Sequence, residues 1–133
     1  MEMKYTLDER VARARELRAQ GHNCSQCVVM AFDDIIDGDM SLLARAAHGF
    51  GSGIGASGNV CGAISGSTMV LGLVKDSLSR PELYTQVREA MNDFSQLEEY
   101  TDCRDLKQSG RKPCLDLICD AVALLHKRLS SDA

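Results

Sequence analysis

The sequence predicts an all-α fold: a single-domain compact bundle of about five to seven helices over residues 1–133, with a central Gly-rich buried helix. Three observations lead there. Apolar residues recur at helical spacing along nearly the whole chain, while the alternation of a half-buried strand is almost absent. Apolar residues make up 44% and charged residues 26% of 133 residues, enough to give one domain a hydrophobic core. No repeat, low-complexity tract or linker is long enough to set off a second domain. With no Trp, three Phe and three Tyr, that core must rest on Leu, Ile, Val, Ala and Met.

The elements follow in order. Leu7, Val11, Ala14 and Leu17 mark a first helix that Gly21 stops. Asn23 is a suitable N-cap for a second, carrying Val28, Phe32, Ile35 and Ile36. "DGDMS" (37–41) is a turn, with Ser41 the expected cap of "LLARAAHGF". A Gly-rich segment leads into an apolar helix from about Asn59 to Lys75. Pro81 suits the first turn of a charged helix that runs to about Tyr100. "TDCRDL" reads as a short helical turn and "KQSGRK" as an exposed loop. From Pro113 a last amphipathic helix runs to about Leu129.

Charge and hydropathy exclude several classes. The net charge of −4 argues against a nucleic-acid partner, which demands clustered Lys and Arg. Arg10, Arg13, Arg15 and Arg18 lie among Asp8, Glu9 and Glu16, with Glu9 one turn before Arg13, and read as a salt-bridged solvated face. The most apolar run, residues 60–74, is shorter than the roughly 20 residues that span a bilayer, so no membrane insertion is expected. The charged start "MEMKYTLDERVARAREL" has no secretory character, which makes the cytoplasm the expected compartment. Stable disulfides are rare there, so six cysteines need another account.

"GFGSGIGASGNVCGAISGS" (49–67) holds seven of the eleven glycines. Gly53, Gly55 and Gly58 match the G-x-G-x-x-G spacing of a dinucleotide loop, and Asp76 lies at a suitable distance beyond. That fingerprint needs a strand before the glycines, yet "SLLARAAHGF" reads as helix. Nucleotide or phosphate binding is therefore the third-ranked reading. Gly58, Gly62 and Gly66 repeat every four residues, so they are expected on one helix face, forming a close-approach surface around a site.

The cysteines occupy specific contexts. Cys24 and Cys27 form C-x-x-C at a helix start, where thiol pKa values fall, although Cys24 also shares a core stripe with Val28 and Phe32. Cys61 is expected in the first turn of the apolar helix, where the dipole favours a thiolate. Cys103 neighbours Arg104. Cys114 shares a stripe with Ile118, Ala121 and Leu125 and is expected to point into the core. Cys119 lies about 140° further round that helix and reads as a bystander. No c-type haem motif or paired C-x₂-C zinc pattern is present. His22 and His48 adjoin the motifs and read first as turn or helix-end residues, second as metal ligands.

"GHNCSQCV", "GFGSGIGASGNVCGAISG", "CRDL" and "CLDLICDAV", in that order, resemble the C_GCAxxG_C_C family of redox-active bacterial proteins over about residues 21–125. The resemblance implies that Cys24, Cys61, Cys103 and Cys114 are the characteristic cysteines, with Cys27 and Cys119 as additions. Cys27 could then resolve a disulfide formed at Cys24. It also implies a small helical protein with either thiol/disulfide exchange or an iron–sulfur cluster or metal held by those four thiolates. A redox partner is expected within this reading, and the small-residue helix face could as well pack a second subunit, giving a homodimer, as its own chain. The second-ranked reading is a non-catalytic helical interaction module whose cysteines only fill space.

Overall fold

A computed structural model of the chain describes residues 2–131. Among these, seven helices and no strand are present: α1 (Leu7–Ala19), α2 (Cys24–Met30), α3 (Met40–His48), α4 (Gly62–Val74), α5 (Arg80–Glu98), α6 (Cys103–Ser109) and α7 (Cys114–Ser131). No helix among them is long and apolar enough to cross a membrane. The core is aliphatic, as the composition requires: Val28, Val29, Val70, Leu71, Ile118, Val122 and Leu129 are fully enclosed with Phe32.

Local chemistry explains the boundaries. Thr6, Asn23 and Ser79 each accept a hydrogen bond from the backbone N–H three residues on, and Glu9, Gln26 and Glu82 reach back to complete capping boxes. The cap of α3 is Asp39, not Ser41: its carboxylate accepts from the N–H groups of Ser41 and Leu42. A carboxylate at that end also opposes the helix dipole, which a hydroxyl does not. Pro81 lies in the first turn of α5 as expected. The second helix ends at Met30, and residues 31–35 continue as turns.

α4 lies against α2, and glycine makes the approach close. A Cβ at Gly66 would stand 2.8 Å from the Ser25 carbonyl oxygen and 2.9 Å from Val28 Cβ. A Cβ at Gly62 would overlap Cys24 Sγ. The expected three-glycine face is only two glycines long, because α4 begins at Gly62. Gly58 lies in the preceding loop with φ +78°, facing the Arg104 side chain.

The arginine cluster of α1 divides: Arg15 and Arg18 are exposed as expected, but Arg10 leaves the solvated face. Arg10 is completely buried, on the same stripe as Ala14 and Leu17. Its guanidinium makes a two-pronged pair with Asp34 (2.6 and 2.8 Å), donates to the Ala31 carbonyl at 2.7 Å and to His126 Nδ1 at 2.8 Å, and stacks 4.4 Å from the Phe32 ring centre. One cation thus ties α1, the end of α2 and α7 together. Stranding such a buried charge by removing its partner costs about 3–5 kcal/mol. Arg13 pairs with Asp33 at 2.6 Å, and Glu9 serves the α1 cap, so the expected Glu9–Arg13 bridge is not the one formed. Periodicity could not show this, because it counts arginine as an outward-facing residue.

Two outcomes test this packing. Gly66→Ala should destabilise the protein by about 1–3 kcal/mol in urea unfolding, because the new methyl meets backbone. Gly72→Ala, on the same helix with nothing within 4 Å, should be neutral or gain up to about 1 kcal/mol. Burial, and then the Arg10 charge, hold the His126 pKa below its usual 6.5. The unfolded chain therefore binds the extra proton, and stability should fall as pH drops below about 6.5. Thermal melts between pH 7.5 and 5.5 should show a smaller loss in His126→Gln than in the parent protein.

Candidate functional site

The residues from Gly49 to Val60 connect α3 to α4. Ser52, Gly53, Ile54, Gly55 and Ala56 have φ of 53°, 77°, 66°, 58° and 62°, five successive left-handed residues of which three carry a Cβ. Left-handed backbone is costly for such residues, above all for β-branched Ile54, and so is usually confined to single positions. Long-span hydrogen bonds hold the turn, including Gly55 N–H to Gly49 O (2.8 Å) and Asn59 N–H to Gly53 O (3.1 Å). Only glycine fits at position 53, where a Cβ would lie 2.6 Å from Asn59 backbone atoms. The loop follows helix α3 rather than a strand, so the G-x-G-x-x-G spacing lacks the strand–turn–helix context of a dinucleotide site.

The loop gathers cysteines at both ends. At its start, Asn23 Nδ2 donates to the His48 carbonyl at 2.8 Å, fixing the head of α2 beneath it. At its end, Val60 pairs with Asp102 in an isolated antiparallel bridge. Cys61 N–H donates to Thr101 O at 2.8 Å, and Cys103 N–H to Asn59 O at 2.7 Å. This sets the beginnings of α4 and α6 side by side, each with its cysteine.

As a result Cys24, Cys61, Cys103 and Cys114 line one cavity of about 80 Å³. Cys24 and Cys61 are buried, Cys103 is half-buried, and Cys114 is exposed. Cys114 therefore stands at the edge of the cavity, not in the core where its helical stripe had pointed. It is the first residue of α7, ahead of the turns that pack. Cys27 and Cys119 do not line the cavity. The Cys27 thiol points to the His22 carbonyl, 3.6 Å away, so the thiol next to Cys24 is Cys114 and not the expected Cys27.

The thiols differ sharply in acidity. Cys24 is drawn down to about 6, first by a hydrogen bond from the Cys114 thiol. Burial opposes this, and the backbone N–H groups of Ser52, Ser25 and Cys24 itself add to the lowering. Cys114 is pushed up because its S–H is held by Cys24, with burial second. Cys61 is not the helix-start thiolate expected. Burial raises it to about 11, against which the N–H groups of Ala63 and Ile64 are insufficient. It is the N-cap of α4. Burial also raises Cys27 to about 11 and lifts Cys119.

A family model described as "Putative redox-active protein (C_GCAxxG_C_C)" matches residues 22–128. The chain belongs to this C_GCAxxG_C_C family. No curated protein and no solved structure matches it. In this C_GCAxxG_C_C protein the C-G-A-x-x-G run is Cys61 to Gly66. Its two glycines are those that admit Cys24 and the α2 backbone against α4. Among the described residues, no three His, Cys, Asp or Glu side chains are spaced to close on one metal ion. His22 and His48 contribute backbone carbonyls to their surroundings, to Arg18 and Asn23, and neither lines the cavity.

Residues the sequence reading missed are Ser52, Arg18, Lys107 and Lys112, all of which line the cavity. Ser52 acts through its N–H, which carries no side-chain signature. The three cations come from α1, α6 and the turn before α7, and only the fold brings them together.

Iodoacetamide labelling of the reduced protein should modify Cys24 with a midpoint near pH 6. In Cys114→Ala the midpoint should rise, because the principal donor is gone. In Gly62→Ala it should also rise, because the new methyl displaces Cys24 from its donors.

Proposed function

We propose that the redox activity of this protein is thiol/disulfide exchange at the Cys24–Cys114 pair. The observation that carries this reading is that Cys24 and Cys114 are free thiols lining one cavity, the first drawn down to about 6 and the second pushed up. A thiolate with a pKa near 6 is largely ionised at pH 7 and still nucleophilic. Cys24 attacks a substrate disulfide, forming a mixed disulfide and releasing one thiolate. Cys114 then attacks Cys24, closing the Cys24–Cys114 disulfide and releasing the second half of the substrate, which takes the Cys114 proton. Cys61, held as a thiol by burial, and Cys103 line the same cavity and are the second-rank partners for the oxidised pair. The reading places the protein in a reducing compartment, the cytoplasm, where the pair returns to the dithiol form.

A second reading has one observation in its favour: four thiols face one cavity with a glycine at its wall. An iron–sulfur cluster would use Cys24, Cys61, Cys103 and Cys114 as ligands and supply one-electron transfer.

Anaerobic purification separates the two. The dithiol reading expects a colourless protein without stoichiometric iron or sulfide. Mild oxidation should remove two thiols together, with peptide mapping giving a Cys24–Cys114 link. Stoichiometric iron and acid-labile sulfide would transfer support to the cluster. Thiols inert to oxidation in a metal-free protein would leave only a packing role for them.

A further inference from the structure

Resting on the thiol/disulfide reading, we infer that the substrate of the Cys24 site is a small disulfide bearing negative charge. Three features of the cavity lead there. Its lining includes Arg18, Lys107 and Lys112, and no Asp or Glu. Lys112 is already engaged, its Nζ held between Glu98 at 2.8 Å and Asp120 at 2.7 Å. Arg18 donates only to the His22 carbonyl at 3.1 Å, and among the described residues no carboxylate pairs with it or with Lys107. Two cations without a carboxylate partner therefore border the cavity that holds Cys24, in a protein whose net charge is −4. A cleft of one sign in a chain of the other focuses attraction on anions at that point.

Size narrows the class further. Cys24 is only 6% exposed and the cavity is about 80 Å³, room for a few heavy atoms beside the sulfur. The more exposed Cys114 meets a bulky partner first, but it holds its proton and attacks poorly. A small disulfide can pass it and reach Cys24; a disulfide on a folded protein surface cannot. Electrons and atoms balance without a further reactant. The Cys24 thiolate and Cys114 thiol are oxidised to one disulfide, and the substrate disulfide is reduced to one thiolate and one thiol.

Three disulfides of similar size and different charge provide the test: dithiodiglycolate (anionic), 2-hydroxyethyl disulfide (neutral) and cystamine (cationic). Each is mixed with the anaerobically reduced protein, and the loss of the Cys24 thiolate is followed by stopped-flow absorbance. The expected order is anionic, neutral, cationic, with at least about a tenfold spread at low ionic strength that contracts in high salt. The anionic-to-neutral rate ratio should fall in Arg18→Gln/Lys107→Gln. It should keep its value in Arg88→Gln, whose charge lies on α5 away from the cavity. Equal rates, a reversed order, or a ratio that the double variant leaves unchanged would overturn the charge preference while leaving dithiol chemistry standing. Failure of all three reagents to oxidise the pair would instead bring down the thiol/disulfide reading, and this inference with it.

Discussion

The approach of α4 to α2 at Gly62 and Gly66 is the contact on which the candidate site depends. A side chain at either position would meet Ser25 backbone or Cys24 sulfur. Glycine inside a helix is unfavourable by roughly 0.5–1 kcal/mol relative to Ala, so two of them in one short helix need an offsetting gain. That gain is the burial of α2 against α4, which encloses Val28, Val29, Val70 and Leu71. The same closeness leaves Cys24 no other place than under the left-handed loop. There the N–H of Ser52 meets it from one side and the start of its own helix from the other.

The loop and the bridge complete the arrangement. Five residues with left-handed φ store strain, and strain of that kind persists only where the surroundings over-determine it. Here the Asn23 contact to His48 fixes one end, and the Val60–Asp102 bridge fixes the other. Far from the site, Arg10 and Asp34 perform the corresponding duty for α1 and α7. The head of α7 carries Cys114, so the buried cation contributes indirectly to the position of the second thiol.

Much of this was legible in the sequence. Most of the helices follow from apolar periodicity and from caps such as Asn23 and Ser79, whose chemistry is local, but α6 runs on through residues 107–109, which read as exposed loop. The four cysteines that share the cavity are those singled out by their local contexts and family resemblance. What stayed hidden depends on tertiary contact. Cys61 looks like a helix-start thiolate, but burial decides its acidity and no sequence window reports burial. Arg10 reads as surface until Asp34, His126 and the Ala31 carbonyl surround it. Gly58 continues the four-residue repeat by sequence but not by structure, because α4 begins four residues later.

The central claim is an asymmetry: Cys24 is drawn down to about 6, while Cys61 and Cys114 keep their protons. Carbon-13 NMR of the reduced protein, labelled at the cysteine Cβ positions and titrated from pH 5 to 11, reads every thiol at once. The account predicts that the Cys24 signal moves with a midpoint near 6, while Cys61 remains a thiol until about 11. A Cys24 signal that stays in the thiol position until above pH 8 would contradict it.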